Sequence, residues 1–110
     1  MTNKEARVPV PPKLAEPAMS GRPVRARPTG LAWRQAGDEV VVLDLVAGSY
    51  HALNASAALL WERLAGWTTA GELAGVLVRC YGLTPAAADL DVVRFLDACA
   101  GAGLVEIAES

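Results

Sequence analysis

The sequence has little of what catalysis usually requires. It holds a single histidine, His51, with no partner beside it to orient it as a general base. No glycine-rich loop lies between a strand and a helix, where it would cradle a phosphate. Asp89, Asp91 and Asp97 spread over more than one face of a predicted helix, as acidic residues on a solvated surface do. The sequence therefore predicts a protein that is not an enzyme and has no cofactor.

Cysteine motifs, long apolar runs and a secretion signal are also missing. Cys80 and Cys99 have neither CxxC spacing nor neighbouring histidines, so we expect two buried, reduced thiols and no metal site. No apolar run reaches the roughly 18 residues that a membrane-spanning helix needs. Prolines interrupt the N-terminus where a signal peptide has its apolar segment. These features predict a cytoplasmic protein with no membrane partner.

Charge and proline content divide the chain near residue 29. Residues 1–29 hold six of the seven prolines and six basic residues against two acidic ones, a net charge of +4, and the remainder carries −6. Because proline breaks helices and cannot donate in a sheet, we predict a disordered basic tail over residues 1–29. Residues 30–110 are then one domain, whose size allows one modest core.

Hydrophobic patterning predicts a three-stranded antiparallel meander at the start of this domain. Residues 31–35 begin the first strand, a Gly-Asp turn follows, and residues 39–46 are the clearest strand, rich in β-branched side chains. Val41, Leu43 and Leu45 share one face of that strand, and Val40 and Val42 share the other with Asp44. A turn at residues 47–48 leads to a short third strand, Ser49–Leu53.

The third strand of this meander has one edge that no predicted strand covers. Ser49–Leu53 contains neither proline nor lysine, the residues that commonly block an exposed edge. An extended peptide can add to such an edge through main-chain hydrogen bonds. The alternative is that a later part of the chain covers it, and the pattern does not separate the two.

Three helices are predicted after the meander, each with a capping signal. Asn54 precedes the first (residues 55–65), Thr69 and Glu72 form a capping box for the second, and Thr84 with Pro85 opens the third (residues 85–100). A final short strand is expected at residues 104–107. Helical spacing predicts three core stripes: Ala57, Leu60, Trp61 and Leu64; Leu73, Val76, Leu77 and Cys80; Ala88, Val92, Phe95, Leu96 and Cys99. The fold class is α+β and winged helix-turn-helix-like, a three-stranded antiparallel sheet followed by three helices.

A winged-helix outline raises the alternative of a transcriptional or adaptor module. DNA binding through the third helix would need basic residues facing the phosphates. That helix carries Arg94 alone against three aspartates. The sequence therefore predicts no nucleic-acid partner.

The ordered motifs of residues 31–107 resemble the PqqD-like family. They are Val-Val-Leu-Asp-Leu at 41–45, Gly-x-Tyr-His-x-Leu-Asn at 48–54, Ala-x-x-x-Trp-Glu-x-Leu at 57–64, Thr-x-x-Glu-Leu at 69–73, Tyr-Gly at 81–82, Asp-Val-x-x-Phe-Leu at 91–96 and Gly-Leu-Val at 103–105. Each motif is common alone, but the ordered set is fairly specific. The basic tail is not part of it.

The resemblance implies a recognition element for ribosomally made, post-translationally modified peptides (RiPPs). Members of that family bind the leader of a precursor peptide as an extra strand and present it to a modifying enzyme. The motifs look most like stand-alone proteins of lasso-peptide clusters, whose partners would be a leader peptidase and a cyclase; the alternative is a radical enzyme. Carried onto this sequence, the leader would contact Ser49, Tyr50, His51, Ala52 and Leu53, and a wall formed by Asp91, Arg94, Phe95 and Ala98. Phe95 is equally placed for the core.

Overall fold

The computed structural model describes residues 21–108. Within this range the elements are β1 (Val24–Ala26), β2 (Leu31–Ala36), β3 (Glu39–Asp44), β4 (Ser49–Leu53), α1 (Ala55–Arg63), α2 (Ala70–Tyr81), α3 (Pro85–Gly101) and β5 (Val105–Ile107). Strands β2, β3 and β4 form an antiparallel sheet in that order, and β1 pairs with β5 in a second sheet. The predicted α+β, winged-helix-like architecture is confirmed. The two-stranded sheet was not predicted.

The three-stranded sheet has a continuous register. Strands β2 and β3 pair from Leu31 opposite Asp44 to Ala36 opposite Glu39, around a turn at Gly37. Strand β3 ends at Asp44, two residues earlier than predicted. The side-chain oxygen Oδ1 of Asp44 accepts hydrogen bonds from the backbone N–H groups of Val46 and Ala47, each at 3.0 Å. This local bonding turns the chain before the apolar run has finished.

The domain begins earlier than the sequence predicted. Val24 is 3% exposed and belongs to the core, and β1 pairs along its length with β5. The Val24 N–H also donates to the carbonyl of Thr68 at 2.7 Å. The predicted tail boundary at residue 29 is therefore wrong, because the partners of β1 lie some 40 to 80 residues away and leave no local signal. The predicted disorder of residues 1–20 lies outside the described residues.

The three helices begin as predicted. The side chain of Asn54 accepts from the Ala57 N–H at the start of α1. Thr69 and Glu72 form the reciprocal capping box of α2. Thr84 caps α3, where Pro85 occupies the first turn. Local side-chain chemistry thus fixes where each helix starts.

The helical stripes form the core with one exception. Leu60, Trp61, Leu64, Leu73, Val76 and Leu77 are buried, as is the whole predicted stripe of α3, and Ala57 packs against them half-buried. Cys80 is exposed, so the prediction of two buried thiols holds only for Cys99. Residues 79–81, in the last turn of α2, are all exposed, which explains why helical spacing failed there. Burial raises the pKa of Cys99 to about 12, so this thiol stays protonated.

Candidate functional site

Strand β4 is an edge of the three-stranded sheet. One side of it pairs with β3, from Val40 opposite Leu53 to Asp44 opposite Ser49. On its other side, no strand of residues 21–108 pairs with it. Every second residue of an edge strand directs its backbone N–H and C=O groups outward. The structure therefore brings the five predicted residues Ser49–Leu53 together as an open row of donors and acceptors.

The side chains of β4 alternate between two environments. His51 lies opposite Val42 and Leu53 opposite Val40, so both face the core side of the sheet and are half-buried. Tyr50 lies opposite Leu43 and Ala52 opposite Val41, on the outer side. Tyr50 is 58% exposed. A strand added to this edge would contact His51 and Leu53 on the core side of the sheet. On the outer side it would contact the exposed ring of Tyr50.

An ion pair anchors the turn that leads into β4. The Asp44 carboxylate is 4% exposed and accepts from Arg27 Nη2 at 2.8 Å and Nη1 at 3.4 Å. Hydrogen bonds from Arg27, then from the Ala47 N–H, hold the pKa of Asp44 down at about 2. The same guanidinium donates to the carbonyl of Gly103 at 2.8 Å. Through Arg27, Asp44 thus connects the turn before β4 to the residue that follows β1 and to the turn before β5.

The α3 residues assigned to the groove wall divide into two groups. Asp91, Arg94 and Ala98 are exposed, and their three- and four-residue spacing places them along one stripe of the helix. Phe95 is 9% exposed and belongs to the core, in agreement with the core alternative. The principal contacts of α3 are with α2 and β5, and those of β4 are with β3 and α1. The stripe is accessible, and its part in the site stays a prediction.

The outer face of the sheet carries exposed apolar side chains that the sequence analysis did not predict. Leu43 is 42% exposed and lies beside Tyr50, and Leu45 and Val46 in the following turn are exposed as well. Both faces of β3 carry valines or leucines, so alternation alone could not say which face is buried. Exposed apolar groups that adjoin an open strand edge are typical of a protein or peptide interaction surface.

Residues 21–108 contain no group of three side chains suited to hold a metal ion. In the same range, no helix is both long and apolar enough to cross a membrane.

A family model described as coenzyme PQQ synthesis protein D (PqqD) matches residues 39–105. The match begins at β3 and ends at the first residue of β5, so it includes the β4 edge and all three helices. No curated protein sequence matches the chain.

Three solved structures share the fold. One is described as TbiB1 in complex with the TbiA(beta) leader peptide, with a TM-score of 0.69, 25% identity, and coverage of 78% of this chain and 99% of that one. Another is a lasso peptide synthetase B1 complexed with the leader peptide, with a TM-score of 0.66, 27% identity, and coverage of 76% and 96%. The third, the PqqD truncation of Methylobacterium extorquens PqqCD described as a RiPP recognition element, has a TM-score of 0.65, 21% identity, and coverage of 79% and 92%. At that identity it supports the fold alone.

Proposed function

Since the chain belongs to the PqqD family, we propose that it is a non-catalytic protein that binds the leader of a ribosomal precursor peptide. It presents that peptide to a modifying enzyme or leader peptidase and needs no cofactor. The observation that carries the proposal is the open edge of β4, in a fold shared with two proteins solved together with leader peptides.

The leader binds as an additional strand along Ser49–Leu53. Backbone hydrogen bonds supply affinity, and side-chain pockets on either side of the added strand supply sequence preference. Tyr50 and Ala52 contact the leader from the outer face, and His51 and Leu53 from the core side. The exposed stripe of Asp91, Arg94 and Ala98 forms the facing wall, with Phe95 supporting it from the core.

The product class that the comparisons favour is a lasso peptide. One of the two relatives solved with a bound leader is named a lasso peptide synthetase B1, and the other is a leader-peptide complex of similar fold. The enzyme partners would then be a leader peptidase and a cyclase, with a radical enzyme as the alternative for a different RiPP class. All of these steps would take place in the cytoplasm.

A proline scan of β4 tests the binding mode. Alternate residues of an edge strand direct their N–H groups inward to β3 or outward to the leader. Proline at an outward position removes a donor to the leader and keeps the pairing with β3. We expect such variants to stay folded and to lose at least about tenfold in leader affinity, roughly 1.4 kcal/mol, in a fluorescence titration with the cognate leader.

Alanine at each scanned position is the matched control, because it keeps the N–H group. Proline at inward positions should instead lower the unfolding midpoint. If folded proline variants bind the leader as tightly as the alanine variants at every position, strand addition at β4 is wrong. Amide chemical shifts that change on α2 and not on Ser49–Leu53 would contradict it as well.

The winged-helix alternative makes a different prediction. A DNA-binding module would need cations on α3, and this helix presents Arg94 against Asp89, Asp91 and Asp97. We expect no shift of promoter DNA in a gel at physiological salt. A specific shift there, together with no leader binding, would replace the proposed function by a transcriptional one.

A further inference from the structure

A concave surface is formed by residues outside the β4 edge and the α3 stripe. It is a cleft of about 360 Å³, lined by Arg63, Trp67, Thr68, Glu72, Val76 and Arg79. These residues come from the end of α1, the α1–α2 loop and α2. None of them belongs to β4 or α3, so we call this surface the α1–α2 cleft and treat it separately from the leader site.

Two arginines in the α1–α2 cleft have charges that no ion pair among residues 21–108 neutralises. Arg63 and Arg79 are exposed, and neither forms an ion pair within the described part of the chain. The one carboxylate in the lining, Glu72, accepts from the Thr68 hydroxyl at 2.9 Å and from the Thr69 N–H at 3.1 Å. Because Glu72 accepts hydrogen bonds at the start of α2, the two guanidiniums can donate to a carboxylate of a partner.

An aromatic side chain lies beside these arginines in a fixed orientation. Trp67 is 48% exposed, and the guanidinium of Arg25 stacks 4.4 Å from the centre of its ring. Arg25 is held in turn by Glu106 at 3.0 Å. The indole is therefore oriented from one side by a cation and remains open to a partner. Tryptophan and arginine are among the side chains enriched at binding hot spots.

Helix ends alone do not explain this arrangement. Arg63 and Arg79 occupy the last turns of α1 and α2, where a cation favours the helix dipole. That effect accounts for one arginine at each helix end. It does not account for their convergence on one cleft next to an exposed tryptophan.

We propose that the α1–α2 cleft binds an acidic segment of a protein partner. Carboxylates of that segment pair with Arg63 and Arg79, since the guanidinium fork matches a carboxylate in two-point geometry. An apolar side chain of the same segment packs on Trp67. The protein's own residues 1–20 are an unsuitable occupant because they carry three basic and two acidic residues. Nucleic acid is also disfavoured, since the lining includes Glu72 and the whole chain has a net charge of −2.

A pair of isosteric peptides tests the charge requirement. The probe is a peptide with blocked ends, Glu-Glu-Leu-Glu-Glu, and its control replaces each glutamate by glutamine. We expect the acidic peptide to cause saturable shifts of the Trp67 indole N–H and of the Arg63 and Arg79 Nε–H signals in NMR spectra of the full chain. The binding should weaken as ionic strength rises from about 0.01 M to about 0.15 M, because the pairs are exposed.

Variants then localise the binding. Arg63→Gln combined with Arg79→Gln should weaken binding of the acidic peptide at least about tenfold. Arg34→Gln removes an exposed arginine on β2, outside the cleft, and should leave binding unchanged. Thermal unfolding of each variant shows that it is folded. Leader affinity, measured in parallel, should not change, so the cleft and the leader site are tested independently.

Four results would overturn the proposal. The first is an equal response to the glutamate and glutamine peptides, or no saturable response to either. The second is equal weakening by Arg34→Gln, which would indicate nonspecific attraction. The third is tighter binding of a short single-stranded oligonucleotide than of the acidic peptide, which would make the partner a nucleic acid. The fourth is unchanged peptide binding by the double variant together with a loss of stability, which would limit the two arginines to a role at the helix ends.

Discussion

Asp44 is a buried polar residue that connects three parts of the described chain. Its carboxylate ends β3, shapes the turn before β4 and accepts from Arg27, which also binds the turn before β5. The sequence placed Asp44 correctly on the face of Val40 and Val42. It could not supply the partner, because Arg27 lay in the predicted tail and a buried carboxylate gives no local signal of the cation that neutralises it.

The Asp44 ion pair predicts a specific acid sensitivity. The pKa of Asp44 is about 2 in the folded protein against a usual 3.8, so folding favours the ionised form. The stability from this group is fully present above about pH 4 and is lost as the pH falls through about 2. Unfolding midpoints measured over this window should fall for the native protein. Asp44→Asn should start from a lower midpoint and lose this part of the pH dependence; a curve parallel to the native one would contradict the assignment.

Trp61 is the residue for which helical spacing predicted the structure most directly. It is 2% exposed in the core, on the stripe with Leu60 and Leu64. Trp61→Ala should cost roughly 3–5 kcal/mol in the free energy of unfolding, measured by denaturant titration. Trp33→Ala is the control, because Trp33 is half exposed on the edge strand β2 and should cost much less. Equal losses in the two variants would place Trp61 outside the core.

At the scale of elements, local chemistry predicted the helices better than the sheets. Caps such as Asn54 and Thr69 act on groups within three residues, so sequence alone reveals them. Which face of β3 is buried depends on the side that the helices cover. Because both faces carry apolar residues, the sequence pattern does not identify the buried face. The same limit applies to the site: the β4 edge was predicted, but the relation of β4 to the α3 stripe depends on packing between distant elements.

The capping box of α2 gives an element-scale prediction. Thr69→Ala removes the acceptor for the Glu72 N–H and should lower the free energy of unfolding by about 1 kcal/mol. Thr29→Ala is a suitable control because Thr29 is exposed and caps no helix. Chemical denaturation of both variants measures the difference. An equal effect of the two substitutions would mean that the cap contributes little.

At the scale of the whole molecule, β1 and β5 close the domain. Val24 pairs with Ile107 and bridges to Thr68, so the first strand joins the last one and the α1–α2 loop. Contacts between residues so far apart in sequence are not visible in a local pattern. The proline-rich composition around β1 instead predicted a disordered tail. This is why the predicted boundary at residue 29 cut through a structural element.

Two truncations separate β1 from the segment before it. A chain lacking residues 1–27 should be less stable than one lacking residues 1–20 by at least roughly 1.5 kcal/mol, the lower value for burying one valine side chain, because the β1–β5 pairing and the Arg27–Asp44 ion pair are lost as well. The two chains differ by residues 21–27, which include β1 and Arg27. Thermal and denaturant unfolding of the two chains measure it. Equal stabilities would show that β1 adds nothing to the domain.

The pairing of β1 with β5 also places the entry and exit of the domain side by side, with the Ala108 N–H donating to the Pro23 carbonyl at 2.9 Å. Neighbouring ends favour domain insertion and circular permutation. A short linker from residue 108 to residue 21, with new ends opened at the Gly37 turn, would keep the β4 edge and the β1–β5 pair intact. Because its two ends are adjacent, the domain could be inserted into a surface loop of another protein without separating the β1–β5 pair.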